Sequence, residues 1–417
     1  MSATAAFTQI FLATLVLTTL LRIWLGLRQI RHVCAHRGQV PPRFADGISL
    51  EEHHKAADYT MTKAHLSLLE VLLGMFMVLA FTQGGLLQYC ADQMNGLFPG
   101  GGHVRGLGLF ALVGLIGLVV DLPFALYRTF VLEARFGFNK TTPGLFVSDL
   151  IKQVLLAVLL GGPLLLAVLW LMERMGAHWW FWVWLFWLGF NLLMLALYPT
   201  LIAPLFNRFT PLTDEALKAR IEALLQRCGF RARGLFVMDG SKRSAHGNAY
   251  FTGFGAAKRI VFFDTLLEHL TPAEVEAVLA HELGHFKHRH LWKRLGAMAV
   301  LGLGFLWLLG QLMSRDWFFA GLGVSQQDTA MALLLFSLVL PVFSFPLSPL
   351  FSALSRRHEY QADAYAVAHA SGADLSTALV KLYRDNASTL TPDPIHSLFY
   401  DSHPPASLRI ARLSAAE

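Results

Sequence analysis

Seven long apolar runs, at roughly 5–27, 66–89, 105–130, 151–172, 179–203, 294–314 and 328–354, dominate this 417-residue chain. Each reaches the ~20 residues that a helix needs to cross a bilayer core. In hydrocarbon a segment must satisfy its own backbone N–H and C=O groups, so such runs fold as helices. Only 15% of residues are charged and 55% are hydrophobic, where a soluble domain carries ~25% charged residues. Asp121 and Pro123 interrupt the third run near one end, and Pro341, Pro346 and Pro349 the last. Neighbouring helices can satisfy the backbone groups such kinks release. Trp179, Trp180, Trp182 and Trp184 open the fifth run as an interfacial aromatic belt. The expected fold class is therefore mainly α, a polytopic membrane protein of about seven transmembrane helices.

A formal net charge of +6 could suggest nucleic acid, but the basic residues cluster beside the apolar runs. Arg28, Arg31, Arg37, Arg43, Lys55 and Lys63 lie between the first and second runs, and Arg135 and Lys140 between the third and fourth. The stretch 207–292 is rich in Lys and Arg, and Arg356 and Arg357 follow the seventh run. The other connections are short and poor in basic residues. The positive-inside rule then places the N-terminus outside and the C-terminus in the cytoplasm. The expected setting is a bacterial inner (plasma) membrane, with the lipid bilayer as a partner and no nucleic acid. No small-residue cleavage motif follows the first run, so it reads as a retained helix. Cys34, Cys90 and Cys228 lie far apart and form neither a thiolate metal site nor a disulfide framework.

This divides the chain into four parts: 1–206 with five spans, 207–292 as a small cytoplasmic α+β unit, 293–355 with two further spans, and 356–417 as a second cytoplasmic region. In the α+β unit, Thr213–Arg227 has an amphipathic helical pattern. Leu235–Met238, Asn248–Phe254 and Arg259–Phe263 read as strands separated by Gly and Ser. Thr271-Pro272-Ala273-Glu274 is a helix start.

That helix carries His281-Glu282-Leu283-Gly284-His285. At about 100° per residue, positions i and i+4 project from one face, so both imidazoles can address one ion while Glu282 stands beside it. H-E-x-x-H on a helix is the zinc-metallopeptidase signature. A catalytic zinc takes a third protein ligand. The metzincin continuation is missing, since His288 and Leu291 occupy its Gly and His positions. On a straight helix His288 sits roughly 10 Å further along the axis than His281, and His290 points elsewhere. Both read as interfacial basic residues. The better third ligand is Glu359, in Arg356-Arg357-His358-Glu359-Tyr360-Gln361-Ala362-Asp363. The HELGH helix leads directly into the sixth run and Glu359 follows the seventh, so a hairpin returns both to one membrane face. Asp363, one turn on, can accept the outer N–H of a ligating His.

His246–Gly253 looks like an edge strand upstream of the HELGH helix, where an extended peptide could add as a further strand. Asn248 would anchor a substrate carbonyl. The tail holds Asp401-Ser402-His403-Pro404-Pro405. His403, held by two prolines, is suited to donate to an oxyanion, and Arg409 beyond it is placed with the substrate-binding residues.

Together these residues resemble the type I CaaX prenyl protease family, integral-membrane zinc endopeptidases. The likeness lies in the runs Leu122–Lys140, Asn248–Gly253 and Arg259–Leu266, in HELGH, and in Glu359–Asp363 and Ser402–Pro405. The resemblance implies seven helices enclosing a chamber and a small zincin-like domain. It also implies one zinc per chain held by His281, His285 and Glu359, with Glu282 as base. Asn248 would pair with substrate backbone, and His403 would assist the tetrahedral intermediate. Members of the family cut C-terminal tripeptides from prenylated proteins.

The expected function is thus zinc-dependent hydrolysis of peptide bonds in lipidated or membrane-associated proteins. One alternative is a quality-control protease for membrane proteins. Another, from a different class, is a metal-binding membrane transporter, against which weigh the undetectable inverted repeats and the Glu beside the paired His.

Overall fold

The computed structural model describes residues 1–232, 234–252 and 259–415. Seven helices among them are long and apolar enough to cross a membrane: Ala3–Ala35, Leu50–Phe81, Gly102–Glu133, Pro143–Arg174, Gly176–Phe206, His290–Leu312 and Thr329–His369. Val158, Leu159 and Val300 on these spans are exposed, as side chains facing lipid must be.

Two spans differ from the apolar runs that announce them. The second starts at Leu50, where the Ser49 hydroxyl and the Glu52 carboxylate cap each other's backbone N–H groups. The polar stretch before its apolar run is therefore helical rather than a connection. Arg37 holds it to the end of the first span by donating to both oxygens of Asp58 at 2.8 Å.

The seventh span continues past its prolines, through a short tighter turn at Phe345–Leu347, to His369. Pro346 has no N–H to give the Val342 carbonyl four residues earlier. Thr18 of the first span donates its hydroxyl to that carbonyl at 3.1 Å instead. A neighbouring helix thus repairs the ladder, and Glu359 rides on the extension beyond the bend.

The sheet outside the spans has four strands in the order β1 (Phe209–Pro211), β2 (Gly234–Met238), β4 (Arg259–Phe263), β3 (Ala249–Thr252). β1 and β2 are antiparallel, β2 and β4 parallel, and β3 and β4 antiparallel. β1, with its proline, carries no strand signal in the sequence. β3 is an edge strand; the Gly253–Phe254 end of the strand expected there lies outside the described residues.

The two polar regions, 207–292 and 356–417, share one core. Ile221, Leu224, Phe262, Ala280 and Leu283 pack with Ala366, Leu375, Ala378 and Leu413. The contact between the HELGH helix (Pro272–Lys287) and the extension of the seventh span is close at Gly284. A β-carbon there would lie 2.8 Å from Ala362 Cα, a separation that only glycine permits.

The HELGH helix starts as its sequence indicates, with Pro272 in the first turn and reciprocal Thr271–Glu274 capping. It does not run directly into the sixth span. The chain breaks at Arg289, which adopts φ +56° and ψ +36° in the left-handed region, and a new helix starts at His290. This corrects the straight-helix reading, because a single left-handed residue redirects everything after it.

Candidate metal centre

The HELGH helix projects His281 and His285 from one face, and the extension of the seventh span brings Glu359 against them. His281 Nε2 and His285 Nε2 are 3.2 Å apart. Glu359 Oε2 lies 3.4 Å from the first, and Oε1 lies 3.4 Å from the second. Three donor atoms thus converge from two helices 74 residues apart in sequence at their nearest ligands (359 − 285 = 74). Glu359 is only 4% exposed, and its Oε2 has no hydrogen-bond partner among the described residues. A buried carboxylate oxygen without a hydrogen bond is costly, here offset by the ion pairs to His281 at 3.4 Å and Arg409 at 3.8 Å, and it fits a cation bound between it and the imidazoles. Two imidazoles and one carboxylate are a donor set of catalytic zinc.

Asp363, one turn beyond Glu359, accepts from His281 Nδ1 at 2.8 Å. This leaves Nε2 of His281 turned toward Glu359. Arg409, expected to meet substrate, is 5% exposed and donates to both oxygens of Asp363, at 2.6 and 2.9 Å. The tail helix (Ala406–Ser414) thereby clamps the back of the centre, with the Arg409 guanidinium bonded to Asp363 and 3.8 Å from Glu359 Oε2.

Without a cation the two imidazoles have opposite proton affinities. Burial alone would lower His281, but its hydrogen bond to Asp363 and the Glu359 carboxylate beside it outweigh that and raise it to about 9. Burial and the neighbouring His281 charge pull His285 down to about 3. Burial also pushes the Glu282 carboxyl above the ordinary carboxylate range, partly offset by His281. A raised carboxyl beside a metal centre suits a group that must both take and return a proton.

Glu282 and His403 stand where two cavities meet. One, of about 270 Å³, is bounded by Leu266, Val278, Leu375 and Leu379 and reaches Asn248. The other, of about 820 Å³, passes His285 and Phe286 toward Met298 and Phe351 on the spans. His403 Nε2 is 3.5 Å from Glu359 Oε1, and its Nδ1 is 3.0 Å from the Ser402 hydroxyl. Asn248 lies at the entrance to β3. Its side-chain oxygen accepts from Ala249 N–H at 2.8 Å, which turns its NH₂ to the outside of that bond. The entrance is fixed by Asn386, whose oxygen accepts from Gly247 N–H at 3.2 Å.

Thus all eight residues singled out in the sequence gather here, with Arg409 both lining the smaller cavity and bonded to Asp363. Sequence reasoning missed Asn386, Gln361 and the part played by His290. His290 is no interfacial base: it is 5% exposed, with Nδ1 3.0 Å from His285 Nδ1. The only available signal was its position five residues after His285, which straight-helix geometry discounted.

With this geometry in view, two family models cover the chain. A CAAX prenyl protease N-terminal domain of five membrane helices matches residues 29–208, and peptidase family M48 matches residues 211–417. A CAAX prenyl protease 1 homolog of Arabidopsis thaliana is 35% identical, covering 94% of both chains. The chain belongs to peptidase family M48. CAAX prenyl protease 1 of Saccharomyces cerevisiae is 33% identical over 90% of this chain and 88% of its own. The Homo sapiens homolog is 31% identical over 97% and 95%. The crystal structure of S. mikatae Ste24p superposes with a TM-score of 0.91 at 31% identity, covering 98% of this chain and 99% of that one. The chain is therefore a polytopic membrane metallopeptidase of the CAAX prenyl protease type, and the transporter alternative is set aside.

Proposed function

We propose that this M48 peptidase is a zinc endopeptidase that cuts lipidated or otherwise membrane-anchored proteins near their C-termini, at the cytoplasmic face of its membrane. The observation that carries the reading is the convergence of His281 Nε2, His285 Nε2 and a Glu359 oxygen within 4.8 Å of one another. These three residues would hold the ion. When bound, zinc polarises a carbonyl and lowers the pKa of water toward ~7.

The protein's own residues do the rest. An extended peptide lies along the outer edge of β3, which has no further strand among the described residues, and Asn248 NH₂ meets a backbone carbonyl there. Glu282, at the junction of the two cavities, takes the proton of the attacking water and returns it to the leaving nitrogen. His403, beside Glu359 and oriented by Ser402, donates to the oxygen on which charge develops. No covalent enzyme intermediate is required.

The larger cavity runs from Glu282 to side chains on the sixth and seventh spans, such as Met298 and Phe351. This favours a substrate with an apolar anchor, since each CH₂ it buries adds about 0.8 kcal/mol. The relatives bear the name CAAX prenyl protease, so the probe is a farnesylated CAAX peptide.

The test is cleavage of that peptide by purified protein in lipid vesicles, with Glu282→Gln and the unlipidated peptide as controls. Release of the C-terminal fragment by the wild type alone supports the reading. Equal cleavage by the Glu282 variant would overturn the mechanism, and no preference for the lipidated peptide would overturn the substrate class.

A further inference from the structure

The two histidines of the centre are supported from behind in different ways. His281 has the carboxylate of Asp363 on its Nδ1 at 2.8 Å. Among the described residues His285 has no carboxylate there. Its Nδ1 faces Nδ1 of His290 at 3.0 Å, and His290 Nε2 faces the side-chain oxygen of Gln361 at 2.9 Å.

Proton placement along this chain follows from valence. His285 turns Nε2 toward His281 and Glu359, so that lone pair is the one offered to a cation. A neutral imidazole using the Nε2 lone pair must carry its proton on Nδ1. Nδ1 of His290 must then be an acceptor, which puts the His290 proton on Nε2. That N–H points at Gln361 Oε1, which can only accept. Each link has one direction: His285 donates to His290, and His290 donates to Gln361.

Resting on the zinc reading above, we propose that His290 is a positioning residue for His285, and that Gln361 sets its tautomer. The pair does for His285, without formal charge, what Asp363 does for His281. The fold is arranged for this. The left-handed turn at Arg289 ends the HELGH helix and starts the next at His290, which swings its ring back toward His285. Stacking on His358, with ring centroids 4.0 Å apart, fixes the ring plane. Gln361 lies two residues after Glu359, so one turn of helix carries both a ligand and the terminus of the relay.

The experiment measures zinc affinity of the full-length protein by competition with a chromophoric chelator, alongside the spectrum of the Co(II)-substituted form. His290→Phe preserves bulk and stacking but cannot accept a hydrogen bond. His290→Asn places an amide oxygen near the old Nδ1 position. The Phe variant should bind zinc ~10–100-fold more weakly, as loss of such a partner typically does. The Asn variant should bind close to wild type, with a cobalt spectrum like it.

Gln361→Leu frees His290 to turn an N–H toward His285, so this variant too should weaken binding, and it carries the test should the His290 variants fail to fold. Wild-type affinity in the Phe variant or in Gln361→Leu would overturn the proposal. Rescue by Phe but not by Asn would show packing instead of hydrogen bonding, and would overturn it as well. A wild type that binds no zinc sinks the zinc reading itself and is thereby told apart.

Discussion

Gly284 lies against Ala362 so closely that a β-carbon on the glycine would sit 2.8 Å from Ala362 Cα and 3.0 Å from its carbonyl oxygen. These two atoms are backbone and cannot swing aside. This contact sets the separation of the two helices that bear His281, His285, Glu359 and Asp363.

Gly284→Ala should therefore act on the centre and not only on stability. Overpacking of this kind costs about 1–3 kcal/mol, and any relief moves Glu359 away from the imidazoles. The expected outcome is a lower unfolding temperature together with weaker zinc binding. Calorimetry with a zinc titration checks it, and normal zinc affinity in a destabilised variant would refute the link.

Glu282→Gln should leave zinc content unchanged while turnover falls ~10²–10⁴-fold, the usual contribution of a positioned acid–base group. Metal analysis beside a peptide-release assay reads both quantities.

His281→Ala and Glu359→Ala should lose the metal outright. Asp363→Asn should retain a site but weaken it by ~10–100-fold, because the amide supports His281 Nδ1 less strongly than the carboxylate does. The same substitution removes the charge of the carboxylate that buried Arg409 bonds bidentately, so an accompanying drop in stability is expected. Metal content after dialysis separates the two grades of loss.

Metal loading should depend on pH in one direction. In the ion-free protein His281 holds its proton up to about 9, whereas His285, held down to about 3, carries none near neutrality. A cation must displace the His281 proton, so binding releases one proton. Apparent affinity should rise with pH by up to about tenfold per unit and level off near pH 9. Chelator competition at several pH values measures the slope. A flat profile from pH 6 to 9 would mean that no such proton is held.

Much of this arrangement was legible in the sequence because the relevant signals are local. Apolar run length marks all seven spans. The Thr271–Glu274 capping pair marks the start of the HELGH helix, and i, i+4 spacing puts two imidazoles on one face. Glu359 was legible by topology, since a hairpin of two spans must return to the side it left. The β1 strand and the start of the second span were not. A three-residue strand ending in proline has too little pattern to register, and Leu50–Lys63 is polar because it lies beyond the apolar run, not because it is unstructured.

By itself, then, the sequence determined that this chain crosses a membrane seven times and carries H-E-x-x-H with a distant carboxylate. Helix period and hydrophobic length are properties of contiguous residues and need no partner. Only the tertiary structure decided where His290 and Arg409 act. The left-handed turn at Arg289 aims His290 at His285, and the fold bonds Arg409 to Asp363 at the wall of the smaller cavity. Both outcomes depend on contacts between segments far apart in the chain. A residue's backbone region and its charge partner are settled there, by packing, and not by its neighbours in sequence.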